Sequence, residues 1–399
     1  MTAQDAGTNR PDPQHEKLAG ILGELGFSLA PEDLSRSEIW WRDHQPWLET
    51  CGYTLRDRYK PGWIPSWTQG IPKLYAQDWM GVKEGHLMDA IRVIGNKNVM
   101  LKKVSRSTHP YEVELTAMWT EPHLINHPHN HCVRLVEVLS PPDDPDIAIL
   151  VLPLFRNLFR PRFQTIGEAV EFFRQVFEGL KFIHENHVAH RDCNYTNIMM
   201  DGNDMYPEGW HVSHPDHAPG PSSFAKGKAA KHFTRTEKPP KYYFIDFGIS
   251  RRYDASDTAP IEDIIRGGDK SPPEFQNPTG RCNPFPTDVY CLGNTLRLVF
   301  IEGGPDPEFD RPGHYGLEFM QPLVKDMVHE DPTKRPTMDE VIQRFHEILR
   351  NLSSWRLRSR LIPFREPTYK ARVRTGLHWK KTLGYTLQGI PPVPIERDR

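Results

Sequence analysis

The pattern of apolar and polar positions changes character along the chain. From about residue 86 it is strand-like: MDAIRVIGNKNVMLKKV predicts two strands around a turn at Gly95–Asn96, a hairpin. A short helix is predicted near 110–121, and CVRLVEVL and IAILVLPLF read as two further strands. At Thr165 the period becomes helical. Ile166, Val170, Phe173, Phe177, Leu180 and Ile183 recur on one face, and Thr165 with Glu168 is expected to form a capping box. After residue 285 the helical period returns, and Thr337 with Glu340 repeats the box ahead of Val341, Phe345 and Leu349. Strands first and helices later predict an α+β class, a small β-rich lobe followed by a larger helical one.

The flanks differ from this middle. Residues 1–16 are polar and are expected to be disordered. Residues 17–85 hold six of the ten tryptophans (Trp40, Trp41, Trp47, Trp63, Trp67 and Trp79), which predicts an ordered extension packed on the main domain rather than a partner surface. Residues 351–399 carry WRLRSRLIPFR and KARVRTGLHWKK, a basic, turn-rich tail expected to lie solvated on an acidic face.

Composition narrows the function classes. With 37% hydrophobic and 26% charged residues the chain is globular, and a net charge of −2 gives no pull toward nucleic acid. The five cysteines are scattered without a CxxC pair, which argues against a disulfide framework or zinc ribbon and for a reducing compartment. MTAQDAGTNRPDPQH has no apolar core, and no apolar run is long enough to span a bilayer. The expectation is a soluble intracellular protein, cytoplasmic or nuclear, without a membrane partner.

The chemistry sits in three places. Phosphoryl transfer asks for placement and charge neutralisation: a carboxylate to orient the attacking hydroxyl, hard oxygens to hold magnesium and a cation on the phosphates. Lys102, late in a predicted strand, is the candidate for the phosphates. Asp192 in HRDCNYTN is the candidate base. Asn197, five residues on, and Asp246 in IDFG are the candidate metal ligands, with Gly248 supplying backbone freedom after Asp246. Lone triplets arise by chance, but Lys, HRDxxxxN and DFG in this order on these elements form a strong signal.

With these motifs the chain resembles the eukaryotic protein kinase superfamily over roughly residues 86–350. In RDRYKPGWIPSW, NHCVRLVEVL and AHRDCNYTNIMMD it resembles in particular the kinase-domain proteins of mushroom-forming fungi. The resemblance implies a bilobal fold, with an N-lobe at 86–152, a C-lobe at 156–350 and an insertion at 203–240, and ATP in the cleft. It implies a hinge at Pro153-Leu154-Phe155 meeting the adenine, with Leu152 at the back of the nucleotide pocket. It also implies that Pro272-Pro273-Glu274 closes the activation segment, that DVYCLG is a buried helix anchoring the catalytic loop, and that Arg335 pairs with Glu274. Glu112 and Glu114 both compete to partner Lys102, and Glu114 is preferred because Met118 lies one turn on.

Several features depart from that pattern. No GxGxxG lies between 80 and 100. Asn194 stands where many serine/threonine kinases have lysine, so a slow enzyme is expected, with Asn194→Lys raising turnover. The histidines of EPHLINHPHNHC invite a metal reading, but a His-Pro turn is preferred. The proline-rich insertion at 203–240 is expected to be a solvated loop. Arg191 is expected to receive a phosphate on Ser250, Ser256, Thr258 or Ser271. The functional expectation is an ATP- and magnesium-dependent kinase acting on a protein hydroxyl, serine or threonine. A pseudokinase scaffold and a small-molecule phosphotransferase are the alternatives. Against the last stand Pro273, Glu274 and Arg335, which belong to a segment that cradles a polypeptide in the family it resembles.

Overall fold

The structure is a computed structural model, and it describes residues 34–70, 76, 78, 81, 84–212, 214–220, 227–277, 279–304 and 313–395. The expected disorder at 1–16, and Trp79 of the tryptophan-rich stretch, lie outside the described residues. The chain divides into two compact units, one ending at Lys102 and including His211–Lys228, the other comprising Lys103–Trp210 and Ala229 onward.

The first unit opens with helix α1, Arg36–Thr50, whose start is fixed by a capping box between Ser35 and Glu38. Strand β1, Tyr53–Leu55, pairs antiparallel with β2, Leu87–Arg92, in the register Leu55↔Ala90. β2 turns at 93–96 into β3, Lys97–Ser105, with Leu87 opposite Lys102. The extension therefore supplies an edge strand to the hairpin. Its centre is ionic as well as aromatic. Buried Glu38 accepts from Arg58 Nε at 2.9 Å and from the Tyr59 hydroxyl at 3.1 Å, and the Trp41 indole donates to Gly85 O at 3.1 Å. Burial alone would raise the Glu38 carboxyl, but the hydrogen bonds from Arg58 and Ser35 outweigh it and hold the pKa below the ordinary value. Trp63 and the Ser66 hydroxyl both bond Asp78, at 2.8 and 2.5 Å. Of the described tryptophans in this stretch Trp41 is fully buried, and Trp40, Trp47, Trp63 and Trp67 are half-buried.

The second unit begins with helix α2, Glu112–Met118, then β4, Glu137–Leu139, and β5, Ile147–Pro153, an antiparallel pair. The strand expected over CVRLVEVL is thus confined to its last three residues. Its start instead follows a later strand, with Val133 N–H donating to Phe244 O at 2.9 Å. β6, Arg156–Asn157, precedes the long helix α3, Ile166–Glu185, which packs Phe172, Phe173, Phe177, Leu180 and Ile183 into the core. Only half of the expected capping box forms there: Thr165 accepts from Glu168 N–H at 2.9 Å, but the Glu168 carboxylate takes Gln164 N–H and Thr236 instead. β7 (Val188–Ala189), β8 (Ile198–Met200) and β9 (Tyr242–Phe244) follow, β8 pairing with both β6 and β9. β10 (Arg251–Arg252) returns to β7, and β11 (Glu262–Asp263) pairs with β12 (Arg281–Cys282). Helices α4 (Pro284–Leu296), α5 (Gln321–Met327) and α6 (Met338–Arg350) complete the helical part, and the second capping box, Thr337 with Glu340, is present.

Two expectations about the periphery are corrected. Among its described residues the segment 203–240 is not a solvated loop. Its middle belongs to the first unit, and its ends are built into the second, where large or charged groups need burial and partners. Arg235 is buried and donates to the Tyr242 hydroxyl at 2.6 Å and to Leu158 O and Pro161 O at 2.6 and 2.8 Å. Arg156 stacks on Tyr206 at 4.0 Å. The tail is not mainly turns either. After helix α7, Ser354–Arg358, strand β13 (His314–Tyr315) pairs with β14 (Ile362–Pro363), and helix α8 runs over Thr368–Leu387. Glu237 and Tyr385 bond at 2.9 Å, so the insertion does supply an acidic partner for the tail. Among the described residues no helix is long and apolar enough to cross a membrane.

Candidate active site

The β8–β9 pair explains why two motifs far apart in sequence meet. Ile198 opposes Phe244, so Asn197, just before β8, and Asp246, just after β9, emerge at the same end. Ile245 N–H donates to Asn197 O at 2.9 Å and locks that end. Asp246 has the left-handed φ of 62°, a strained conformation that recurs at functional positions. The backbone reversal is therefore at Asp246 and not at Gly248, as the sequence suggested. Gly248 serves close approach: a Cβ there would lie 3.0 Å from Asp246 Oδ1 and 3.1 Å from Glu112 Oε2. Its N–H donates to Asp246 Oδ1 at 3.1 Å.

The catalytic-loop backbone is held from beneath by Asp288 of α4, which is fully buried. Its two oxygens accept from His190 N–H at 2.7 Å and Arg191 N–H at 2.6 Å. Such charge-assisted bonds to a backbone fix a loop firmly. The side of His190 reaches Ile245 O at 3.1 Å, and Phe247 packs on His190 and Trp119, with ring centroids 5.0 and 5.5 Å away. Asp192 is thereby presented as a half-buried residue. Oδ2 accepts from the Asn197 amide at 2.8 Å, and Oδ1 accepts from the Asn194 amide at 2.5 Å and from Gly268 N–H at 2.7 Å. Asn194 also caps the turn 195–197 through Thr196 N–H at 2.8 Å. Its role in orienting Asp192 was not foreseen from the sequence, where it registered only as a missing lysine.

The Asn197 amide nitrogen is committed to Asp192, so its carbonyl oxygen is the atom left for a cation. Asp246 emerges at the same end, and the two side chains are the hard-oxygen groups there that could face a cation. Asn197 is buried, so such a cation would be screened from water. Lys102 belongs to the first unit, where it is buried near the end of β3. Pro153 ends β5 half-buried, Leu154 and Leu152 are buried, and the Phe155 ring stacks on Tyr243 at 4.8 Å.

The two glutamates of α2 face differently. Glu114 is exposed, whereas Glu112 is buried with its carboxylate beside Gly248. Leu115, Thr116 and Trp119 share the buried face with Glu112, so the helix turns that face inward; Met118 is buried too and was a poor guide. The His-rich segment is structural. His131 is buried, donates from Nδ1 to Tyr242 O at 3.0 Å, and is pushed down to about pKa 4 by burial; His127 stacks on Phe182. Among the described residues no group of three or more His, Cys, Asp or Glu could hold a metal ion.

The segment from Asp246 to Glu274 is clamped at two points. Arg335 binds Glu274 through two bonds of 2.8 and 2.7 Å, and Thr287 donates to the same carboxylate at 2.6 Å. Burial raises the Glu274 carboxyl, but the bonds from Arg335 and Thr287 outweigh it and hold the pKa below the ordinary value. Arg191, expected to meet a phosphate, already holds a carboxylate: Glu262 lies 3.2 Å away and also binds Arg251 at 3.0 Å and the Tyr253 hydroxyl.

Comparison with known proteins agrees with this arrangement. The family model described as Protein kinase domain matches residues 83–305, more than half of the chain. The chain is 29% identical over 155 residues to Serine/threonine-protein kinase CAK1 of Saccharomyces cerevisiae, covering 37% of this chain and 31% of that protein. It is 24% identical over 201 residues to Serine/threonine-protein kinase 12 of Arabidopsis thaliana, covering 48% of this chain and 38% of that protein. The matches thus span about a third of the length of these curated relatives. With the β8–β9 pair, the Asp288 anchor and Glu274 inside the matched residues, and Arg335 clamping Glu274 from beyond them in the same unit, the chain belongs to the protein kinase domain family.

Proposed function

We propose that the chain is an active protein kinase that transfers the γ-phosphoryl group of ATP to a serine or threonine hydroxyl of a protein. The observation that carries this is Asp192, a half-buried residue whose carboxylate is held by Asn194, Asn197 and Gly268. In this reading Asp192 orients the acceptor hydroxyl and takes its proton, and the Asn197 and Asn194 amides keep the carboxylate aimed. Asn197 and Asp246 would hold magnesium, which when bound neutralises charge on the phosphates. Lys102 grips the phosphates, and Pro153 and Phe155 meet the adenine with backbone groups. Glu112 replaces Glu114 as the functional carboxylate of α2. A bilobal organisation and a place among the kinase-domain proteins of mushroom-forming fungi complete the proposal, supported by the motif wording.

The two named relatives, both serine/threonine kinases by name, support that acceptor class. One observation favours the scaffold reading: the sequence between β1 and β2 contains no GxGxxG. Incubation with γ-labelled ATP and generic protein substrates, with and without magnesium, separates the two. The kinase reading expects magnesium-dependent label on phosphoserine or phosphothreonine; ATP binding without transfer would favour the scaffold.

A further inference from the structure

Helix α8 is docked by its polar side. Arg374 binds Glu366 at 2.6 Å, His378 bonds Arg358 O at 2.8 Å, Thr382 is buried, and Tyr385 bonds Glu237 at 2.9 Å. These positions recur three or four residues apart, so they mark one face of the helix, and that face is turned inward. The opposite face is apolar and turned out. Tyr369, Val373, Leu377, Leu383 and Leu387 are between 58% and 81% exposed. Lys380 continues their row between Leu377 and Leu383. A Cβ added at Gly376 or Gly384 would meet nothing within 4 Å, so the described residues leave this face uncovered. A surface helix normally buries its apolar stripe. Here the stripe is inverted along 20 residues, about 30 Å of helix, and an apolar surface of that extent marks an interaction site.

The cations select what covers it. Residues 351–390 carry nine lysines and arginines against one carboxylate, Glu366, so an occupant of this face meets a strong positive field. Lys370 and Arg372 flank the apolar row on its two sides, and Lys380 stands within it; all three are exposed and form no ion pair among the described residues. A second copy of the chain would set like charges against each other across this face, which disfavours self-association there. An acidic protein would need a concave counterpart to a convex helix and a carboxylate placed for each cation. A bilayer with anionic headgroups needs neither. Trp379 lies exposed at the edge of the row, and the exposed Trp355 of α7 stands beside it, ring centroids 6.1 Å apart. Aliphatic side chains bordered by tryptophan, tyrosine, lysine and arginine are the composition of a helix that lies in the plane of a membrane surface. The long stems of Lys370 and Lys380 let their charges reach past the apolar row to the headgroups.

We propose that the outward face of α8 docks the chain on a membrane surface rich in anionic lipid. Val373, Leu377, Leu383 and Leu387 enter the headgroup boundary, and Lys370, Arg372 and Lys380 meet the anionic headgroups. The contact is independent of the phosphoryl-transfer reading. It leaves the helix lying on the bilayer; among the described residues no helix is long and apolar enough to cross one. The test is co-sedimentation of the full chain with vesicles of phosphatidylcholine, alone or with about one-third phosphatidylserine. Binding to the mixed vesicles is expected to be at least about tenfold tighter than to phosphatidylcholine alone. Two variants are compared, one combining Val373→Gln, Leu383→Gln and Leu387→Gln, the other combining Arg372→Glu and Lys380→Glu. Each is expected to lose at least about tenfold in vesicle binding with an unchanged melting temperature. The absence of saturable vesicle binding would overturn the proposal, as would equal binding to both lipid mixtures or unaltered binding in the glutamine variant. Binding to soluble polyglutamate in place of vesicles would assign the face to an acidic protein, and a dimer that the glutamine variant dissociates would assign it to a second copy; either would overturn it as well.

Discussion

Two arginine–glutamate pairs hold the ends of one segment, and they are built differently. Arg335 and Glu274 form a closed pair: two parallel bonds, a third from Thr287, and an Arg335 side chain with no exposure that also donates to His329 O at 2.8 Å. Glu262 is instead an anion surrounded by several donors, Arg191, Arg251 and Tyr253, of which Arg251 is 47% exposed. The first pair matches shape and fixes geometry. The second satisfies charge, and any anion of suitable reach would serve there. Between them Gly267 and Gly268 lie against Asp192, so both anchors bear on the base.

The contrast is broken most severely at the closed pair. Arg335→Ala leaves Glu274 buried without its counter-ion and is expected to cost about 3–5 kcal/mol in urea unfolding. Next in size is Gly267→Ala. A Cβ there would lie 2.4 Å from Asp192 Oδ1 and 3.1 Å from Arg191 O, so the segment must lift from the base. A fall in kcat of tenfold or more is expected, with a KM for ATP that stays within about twofold.

A pH titration sharpens the same comparison. The folded pKa of Glu274 is depressed, so its contribution is present above the unfolded value of about 4.3 and is lost as pH falls through the lower folded value. Stability should therefore drop below about pH 4 in the wild type, and Glu274→Gln should flatten that limb. The smallest stability effect belongs to the open anion site. Glu262→Gln keeps the hydrogen-bonding shape but removes the charge, and about 1–2 kcal/mol is expected. Because a carboxylate already occupies Arg191, phosphatase treatment is expected to leave the transfer rate unchanged. A marked fall on dephosphorylation would return Arg191 to the role first expected of it, as a receptor for a phosphate.

Much of the fold was legible where its signals are local. Helix α3 announces itself by apolar residues at helical spacing, and the β2–β3 hairpin by its strand-like texture and the Gly95–Asn96 turn. Asn197 and Asp246 were found by spacing alone, and the structure brings them to one end of β8–β9. What was missed depends on distant partners. β1 is three residues long, too short to carry a period, and it pairs with residues 90–92. Arg235 reads as one more basic residue in a proline-rich stretch until Tyr242, Leu158 and Pro161 surround it. Helix α8 hides because it contains Gly376 and Gly384 and buries almost nothing along its length. Glu112 and Glu114 differ only in which way a two-turn helix faces, and that depends on Trp119 and Phe247 packing beneath it.

The central claim is that Asp192 is a working base and not the outline of one. Transfer of the labelled γ-phosphoryl group from ATP to a generic protein substrate should be measured side by side for wild type and Asp192→Asn, together with ATP binding to each. The account predicts transfer by the wild type, a loss of at least about 100-fold in the variant, and ATP affinity that is little changed. Equal labelling by both proteins, or none by either while both bind ATP, would contradict it.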